Sequence, residues 1–267
     1  MVIEVSKEID VVRIGIDRYS LKTGLKLRSV MDVSIQVIKE PRGFIRIIQC
    51  LMAILAFSTT AGFSTECKFS INCGGDEDDI DVEYEFGYPF SHTELEIPHD
   101  CDDKELLHMI LPFNYSNASG FFVATGVISF MYTIIILTVY IFFHQTYSNN
   151  PKLPVVDLVI SVVLSIFWMA GSSAWAQGVT DLKYYLHPET LFQFLFICLN
   201  EKNGHDVCDS EEDGSYGTLN ASLILGFANF LLWTCSLWFI YKETVFHSPE
   251  ESAPPQNQSA VKGVGKV

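Results

Sequence analysis

The sequence predicts an all-α membrane protein, a bundle of four transmembrane helices carrying two disulfide-bearing lumenal loops. Three observations predict it. Apolar residues form 49% of the 267-residue chain and collect in four blocks of about 20 residues, enough to span a hydrocarbon core of roughly 30 Å. Basic and acidic residues fall on alternate sides of these blocks. The cysteines outside the blocks all lie on one of those sides.

The elements follow in order. Residues 1–37 form a cytosolic arm without a free-standing apolar stretch of the signal-peptide kind, so the first span serves as signal anchor. A membrane domain covers residues 38–245, with spans at about 44–63, 120–143, 155–176 and 219–241. Arg46, one turn inside the first span, is expected to snorkel to the interface. Asp157, in the first turn of the third span, is expected among the headgroups, where the helix dipole favours an anion. The apolar run Leu191–Leu199 is too short to span and is expected to pack on the membrane surface or on the neighbouring loop. Residues 246–267 form a short disordered tail.

Charge sets the orientation. Residues 1–46 carry 9 Lys+Arg and 6 Asp+Glu, whereas residues 65–119 carry 2 and 14, and residues 178–217 carry 2 and 8. By the positive-inside rule both termini and the loop 144–154 are cytosolic, and the two long loops are lumenal. The net charge of −15 belongs to those solvated loops, so no nucleic-acid partner is expected. Cys67, Cys73 and Cys101 lie in the first long loop and Cys198 and Cys208 in the second, on the side where thiols oxidise. Cys198–Cys208 is the expected bridge of the second loop. Cys73–Cys101 is preferred for the first, although spacing alone also allows Cys67–Cys101. Each bridge restrains a loop without a large core of its own, at about 2–4 kcal/mol.

Catalytic and cofactor signals are absent: no GxSxG, HExxH or phosphate-binding Gly loop occurs, so neither enzymatic activity nor a cofactor is expected. The acidic run Asp76–Gly87 lacks the glycine and glutamate of a calcium loop and reads as a solvated segment. Four sequons occur, and Asn114 is the best placed for glycosylation. What remains is packing. "WMAGSSAWA" (Trp168–Ala176) concentrates small residues that let membrane helices approach closely. Ala170, Gly171 and Ala174 on the third helix, and Ser222 and Gly226 on the fourth, are expected to meet there. Asn229 is expected to hydrogen-bond across helices, and Trp175 to lie at the lumenal headgroups.

"IKEPRGFIRIIQ" (38–49), "FGYPF" (86–90), "SSAWAQGVTDLK" (172–183) and "LNASLILGFANFLLW…LWFIYKET" (219–244) resemble, in order and spacing, the signatures of the synaptophysin family. The resemblance covers residue 31 to about 248. It departs from the family at Gln177, where the signature has Lys, and in a short tail without Tyr-Gly-Pro-Gln repeats. It implies a MARVEL four-helix fold, paired cysteines at Cys73/Cys101 and Cys198/Cys208, and residence in small transport vesicles with both termini cytosolic. It also implies a role in vesicle formation, sorting and SNARE trafficking, through self-association (a homo-oligomer), cholesterol-rich membrane lipid and a synaptobrevin-type SNARE. The alternatives are a four-span channel or junctional protein, or a mitsugumin-like role in muscle triad membranes and calcium handling.

Overall fold

The computed structural model describes residues 40–72, 79–92, 94–100, 103–111, 113–143, 146–147, 150–199, 207–212, 214–244 and 246. Four long helices dominate: α1 (Pro41–Ala61), α2 (Ser116–Phe142), α3 (Lys152–Leu186) and α5 (Gly217–Tyr241). All four are long and apolar enough to cross a membrane, with mean hydropathies of 1.7, 2.2, 2.2 and 1.9. They pack as a closed ring in which α1 and α3 each contact both α2 and α5. Pro41 occupies the first turn of α1, where its missing N–H costs no helical bond.

The bundle mixes small and polar residues with a few large aromatic rings inside, and is apolar outside. Gln49, Thr60, Ser129, Thr133, Ser161, Ser172, Ser222, Asn229 and Ser236 are buried, whereas Leu51, Ile128, Met131, Ile135, Val159, Ile166, Ile224 and Leu231 are exposed. In water this arrangement would forfeit the hydrophobic drive. In lipid, apolar burial gives no net drive, and close packing and interhelical hydrogen bonds hold helices together.

The two long connections are not irregular loops. They build a β-rich cap on one end of the bundle, called here the cap end. The opposite end, where α1 begins and α5 finishes, is the terminal end. Strands β1 (Ser64–Ile71), β2 (Ile80–Gly87) and β5 (Cys208–Glu212) form an antiparallel sheet in the order β2-β1-β5. β1 pairs with β2 from Ser64↔Gly87 to Ile71↔Ile80, and with β5 at Ile71↔Cys208. The second connection therefore completes a sheet begun by the first. β3 (Glu94–Asp100) and β4 (Asp103–Ile110) form a separate hairpin. The acidic run, expected to be a solvated segment, becomes a strand from Ile80 onward. Val82, Tyr84 and Phe86 point inward while Asp81, Glu83 and Glu85 face solvent, the period-2 alternation of a half-buried strand. With Phe69, Ile71, Leu191 and Leu195 these side chains belong to a hydrophobic core that is continuous with the bundle's, so the connections pack onto the helices as a cap.

One further expectation is corrected. The third helix does not leave into a loop at Gly178. It runs 35 residues to Leu186, about 52 Å at 1.5 Å per residue, because Val179, Leu182 and Leu186 bury one continuous face in the shared core. It stops at His187, whose extended backbone (φ −66°, ψ 132°) suits the residue before Pro188. The run Leu191–Leu199 takes one of its two expected placements, packing on the neighbouring connection within the cap: the short helix α4 (Pro188–Phe194) contacts β5, and Leu191, Leu195 and Ile197 are buried.

Candidate functional site in the bundle interior

The interior carries a charged network towards the terminal end and an aromatic joint at the cap end. Arg46 and Asp157 make the first. Each lies five residues inside its helix, roughly 7–8 Å from the end. Arg46 does not snorkel and Asp157 does not lie among headgroups: each is 1% exposed, and Arg46 Nη2 meets Asp157 Oδ1 at 2.5 Å. The correction has a physical cause. A charge this deep is cheaper to pair inside the bundle than to face hydrocarbon, and the two residues lie at the same depth on helices that share the interior.

The pair is fully dressed with donors and acceptors. Asp157 Oδ1 also accepts from the Tyr132 hydroxyl at 2.5 Å, and from Ser161 Oγ at 3.3 Å. Its Oδ2 accepts from the Tyr140 hydroxyl, and from Tyr147 Oη at 3.3 Å. Arg46 donates to Ser161 Oγ at 2.8 Å and to Gln49 Oε1 at 2.9 Å. Gln49 Nε2 donates to Ser236 Oγ at 3.0 Å. The guanidinium carbon sits 5.2 Å from the Trp233 ring and 5.6 Å from Tyr132, within cation–π range. One ion pair thereby ties α1, α2, α3 and α5 together, with Tyr147 added from the α2–α3 connection. Above it Arg42 stacks on the Tyr140 and Tyr147 rings at 5.6 and 5.9 Å, and bridges Glu243 at 2.6 Å and Glu40 at 2.8 Å. Burial pushes the Glu243 carboxyl above its ordinary range, against the downward pull of Arg42.

At the cap end the expected contact residues separate into two sets. Gly171, Ser222, Gly226 and Asn229 are buried. Ala170 and Ala174 are exposed on the outward face of α3, so the patch expected to meet the last membrane helix lies elsewhere on α3. Residues one position on do the packing. A side-chain carbon at Gly226 would stand 2.5 Å from Ser172 Oγ and 2.6 Å from the Phe122 ring. Gly171 faces α2 rather than α5, against Phe121 and Phe122. Asn229 Nδ2 donates to the Met52 carbonyl of α1 at 3.0 Å.

Trp175 is wholly buried, not at the headgroups. Its Nε1 donates to Ser222 Oγ at 3.0 Å, and its ring lies 4.9 Å from Phe90. Phe90 ends the FGYPF segment with φ 60°, an uncommon conformation for a residue with a side chain, and its ring also stacks on Phe63 at 5.7 Å. The segment is thus the joint between cap and bundle. Trp168, wholly buried, donates to Ser129 Oγ at 3.0 Å.

Cys198 and Cys208 are bonded, linking the turn after α4 to β5. Cys73 and Cys101 lie outside the described residues, and Cys67 is buried in β1. Asn114 is exposed just before α2, its Oδ1 accepting from Ser116 N–H and Oγ at 3.0 and 2.7 Å. The hydroxyls of the sequons at Asn117 and Asn220 are the buried Ser119 and Ser222.

This arrangement is a membrane bundle with its polar groups turned inward. A family model for MARVEL, described as a membrane-associating domain, matches residues 37–239. The chain belongs to the MARVEL family. The MARVEL match begins four residues before α1 and ends inside the last turn of α5, so it covers the ring of four helices and the whole cap. With four helices long and apolar enough to cross a membrane, the chain is a multi-pass membrane protein of this membrane-associating family.

Proposed function

We propose that this MARVEL protein belongs to the synaptophysin branch, with a middle loop and tail resembling those of pantophysin, and that it serves in small transport vesicles. In this reading both termini are cytosolic and the cap is lumenal. The protein takes part in vesicle formation and in sorting of a synaptobrevin-type SNARE, within cholesterol-rich membrane and as a homo-oligomer. It works through its outward surfaces and catalyses nothing.

One observation carries the reading. The bundle interior is filled by the wholly buried rings of Phe122, Trp168, Trp175 and Trp233 and by a charge pair that satisfies itself. That leaves helix faces, cap and tails for partners. It favours an assembly protein over a channel, whose bore needs a continuous polar lining.

Proximity labelling from the C-terminal tail in intact cells tests it. Enrichment of vesicle SNAREs supports the reading, and enrichment of junctional scaffolds instead would sink it. Protease added to intact vesicles checks the orientation: the tail should be lost and the cap spared.

A further inference from the structure

The membrane-distal edge of the cap carries an exposed aromatic surface. Tyr184 at the projecting end of α3 is 63% exposed, and Phe196 in the turn after α4 is 75% exposed. Phe194 and Leu199 are exposed beside them. The pattern is built into the chain. Leu195 is extended (φ −92°, ψ 112°), so Phe194 and Phe196 fall on one side while Leu195 and Ile197 are buried on the other. Tyr185 links the parts, its ring 5.3 Å from Tyr184 and 6.2 Å from Phe194. The Leu199 N–H donates to the Phe196 carbonyl at 3.3 Å, closing a turn that brings those two residues together. The Cys198–Cys208 bridge pins that turn to β5. Single exposed apolar residues are ordinary on a protein surface. A cluster of rings held in place by a disulfide is different, because it is ordered before any partner arrives and loses little entropy on contact.

Lipid is out of reach of this surface. Tyr184 stands beyond the span end at Ala176 by about 12 Å of helix, against a headgroup layer of roughly 5–8 Å. Cys208, bonded to the turn, pairs with Ile71, about 23 Å along β1 from Ser64 at the bundle end. A second copy of the cap would meet like charge. Residues 65–119 and 178–217 hold 22 Asp+Glu against 4 Lys+Arg. Glu189 on α4 and Asp209 and Glu211 on β5 are exposed on the two elements that flank the bridged turn. The nearby Lys183 is engaged by Asn220 Oδ1 at 2.5 Å and by the Tyr216 ring. We propose that this surface docks a basic segment of another protein, one presenting apolar side chains between lysines or arginines. Aromatic anchors with acidic groups on the flanking elements are the complement of that chemistry, and they oppose acidic partners. The proposal holds whichever compartment the cap faces.

Photocrosslinking of the full chain in intact cells tests it. The photoreactive p-benzoylphenylalanine replaces Phe196, Tyr184 or, as a control on β2 at the other edge of the sheet, Asp81. Mass spectrometry then identifies the crosslinked peptides. The expected result is one recurrent partner from Phe196 and Tyr184, joined through an apolar peptide bearing Lys or Arg, and not captured from Asp81. Charge reversal by Glu189→Lys/Asp209→Lys/Glu211→Lys should cut that adduct about tenfold or more. Phe194→Ser/Leu199→Ser should cut it to a similar extent. An intact Cys198–Cys208 bridge on non-reducing gels reports that each variant keeps its cap. Should the triple variant lose the cap, Glu189→Lys alone carries the charge comparison. Adducts confined to a second copy of this chain, to lipid or to acidic peptides overturn the proposal, as do an equal adduct from Asp81 and no adduct at all. An undiminished adduct in a folded charge-reversed variant overturns it too.

Discussion

The two ends of the bundle are held in different ways. Near the terminal end a charge pair and its hydrogen bonds join all four membrane helices, and no described disulfide reaches that region. At the cap end the joint is aromatic and covalent: Phe63, Phe90 and Trp175 stack where sheet meets helix, and Cys198–Cys208 closes the second connection onto β5. The surrounding medium accounts for the contrast. The cap stands in water, so burying Phe69, Tyr84 and Phe86 is itself stabilising. Between membrane helices that drive is missing, and polar groups turned inward take over.

Five substitutions sharpen or break this comparison. The largest effect is expected from Arg46→Met or Asp157→Leu, each leaving an uncompensated buried charge. A loss of about 3–5 kcal/mol of bundle stability should appear in detergent unfolding followed by tryptophan fluorescence. Next is Cys198→Ser, expected to cost about 2–4 kcal/mol. Limited proteolysis should place that loss in the cap, with the four helices still protected; equal loss in the helices would mean the two ends are not separate. Gly226→Leu comes third, at about 1–3 kcal/mol, because its side chain must displace Ser172 and Phe122. The smallest is Ala174→Leu, on the outward face, expected within about 0.5 kcal/mol by the same unfolding assay. A drop in detergent-stable oligomer without loss of monomer stability would mark that face as a contact between copies.

The spans were legible because hydropathy and length depend on composition, which a block of 20 residues states plainly. Helix rotation was not. Successive residues stand about 100° apart, so taking Ala170 and Ala174 as the buried face instead of Gly171, Ser172 and Trp175 turns α3 by a single position. Composition alone does not choose between those faces, since both are small. The same rotation decides whether Arg46 and Asp157 reach the interface or each other. Their matching depth on the same side of the membrane, with Tyr132 and Tyr140 spaced eight apart on α2, was the available signal for a buried network. The cap was partly legible too: Asp81 to Phe86 alternates acid and apolar residues strictly, but the density of charge around it read as solvation. The cap's pairing of β1 with β5, residues over 130 positions apart, follows from no local pattern.

The central claim is that Arg46 and Asp157 form one internal lock rather than two separate interfacial charges. A double-mutant cycle tests it directly, with Arg46→Met, Asp157→Leu and the two combined measured in the same unfolding assay. The account predicts that the double substitution is less damaging than either single one, because removing both charges leaves neither unpaired. Losses that simply add would contradict it, and would return both residues to independent positions at the membrane surface.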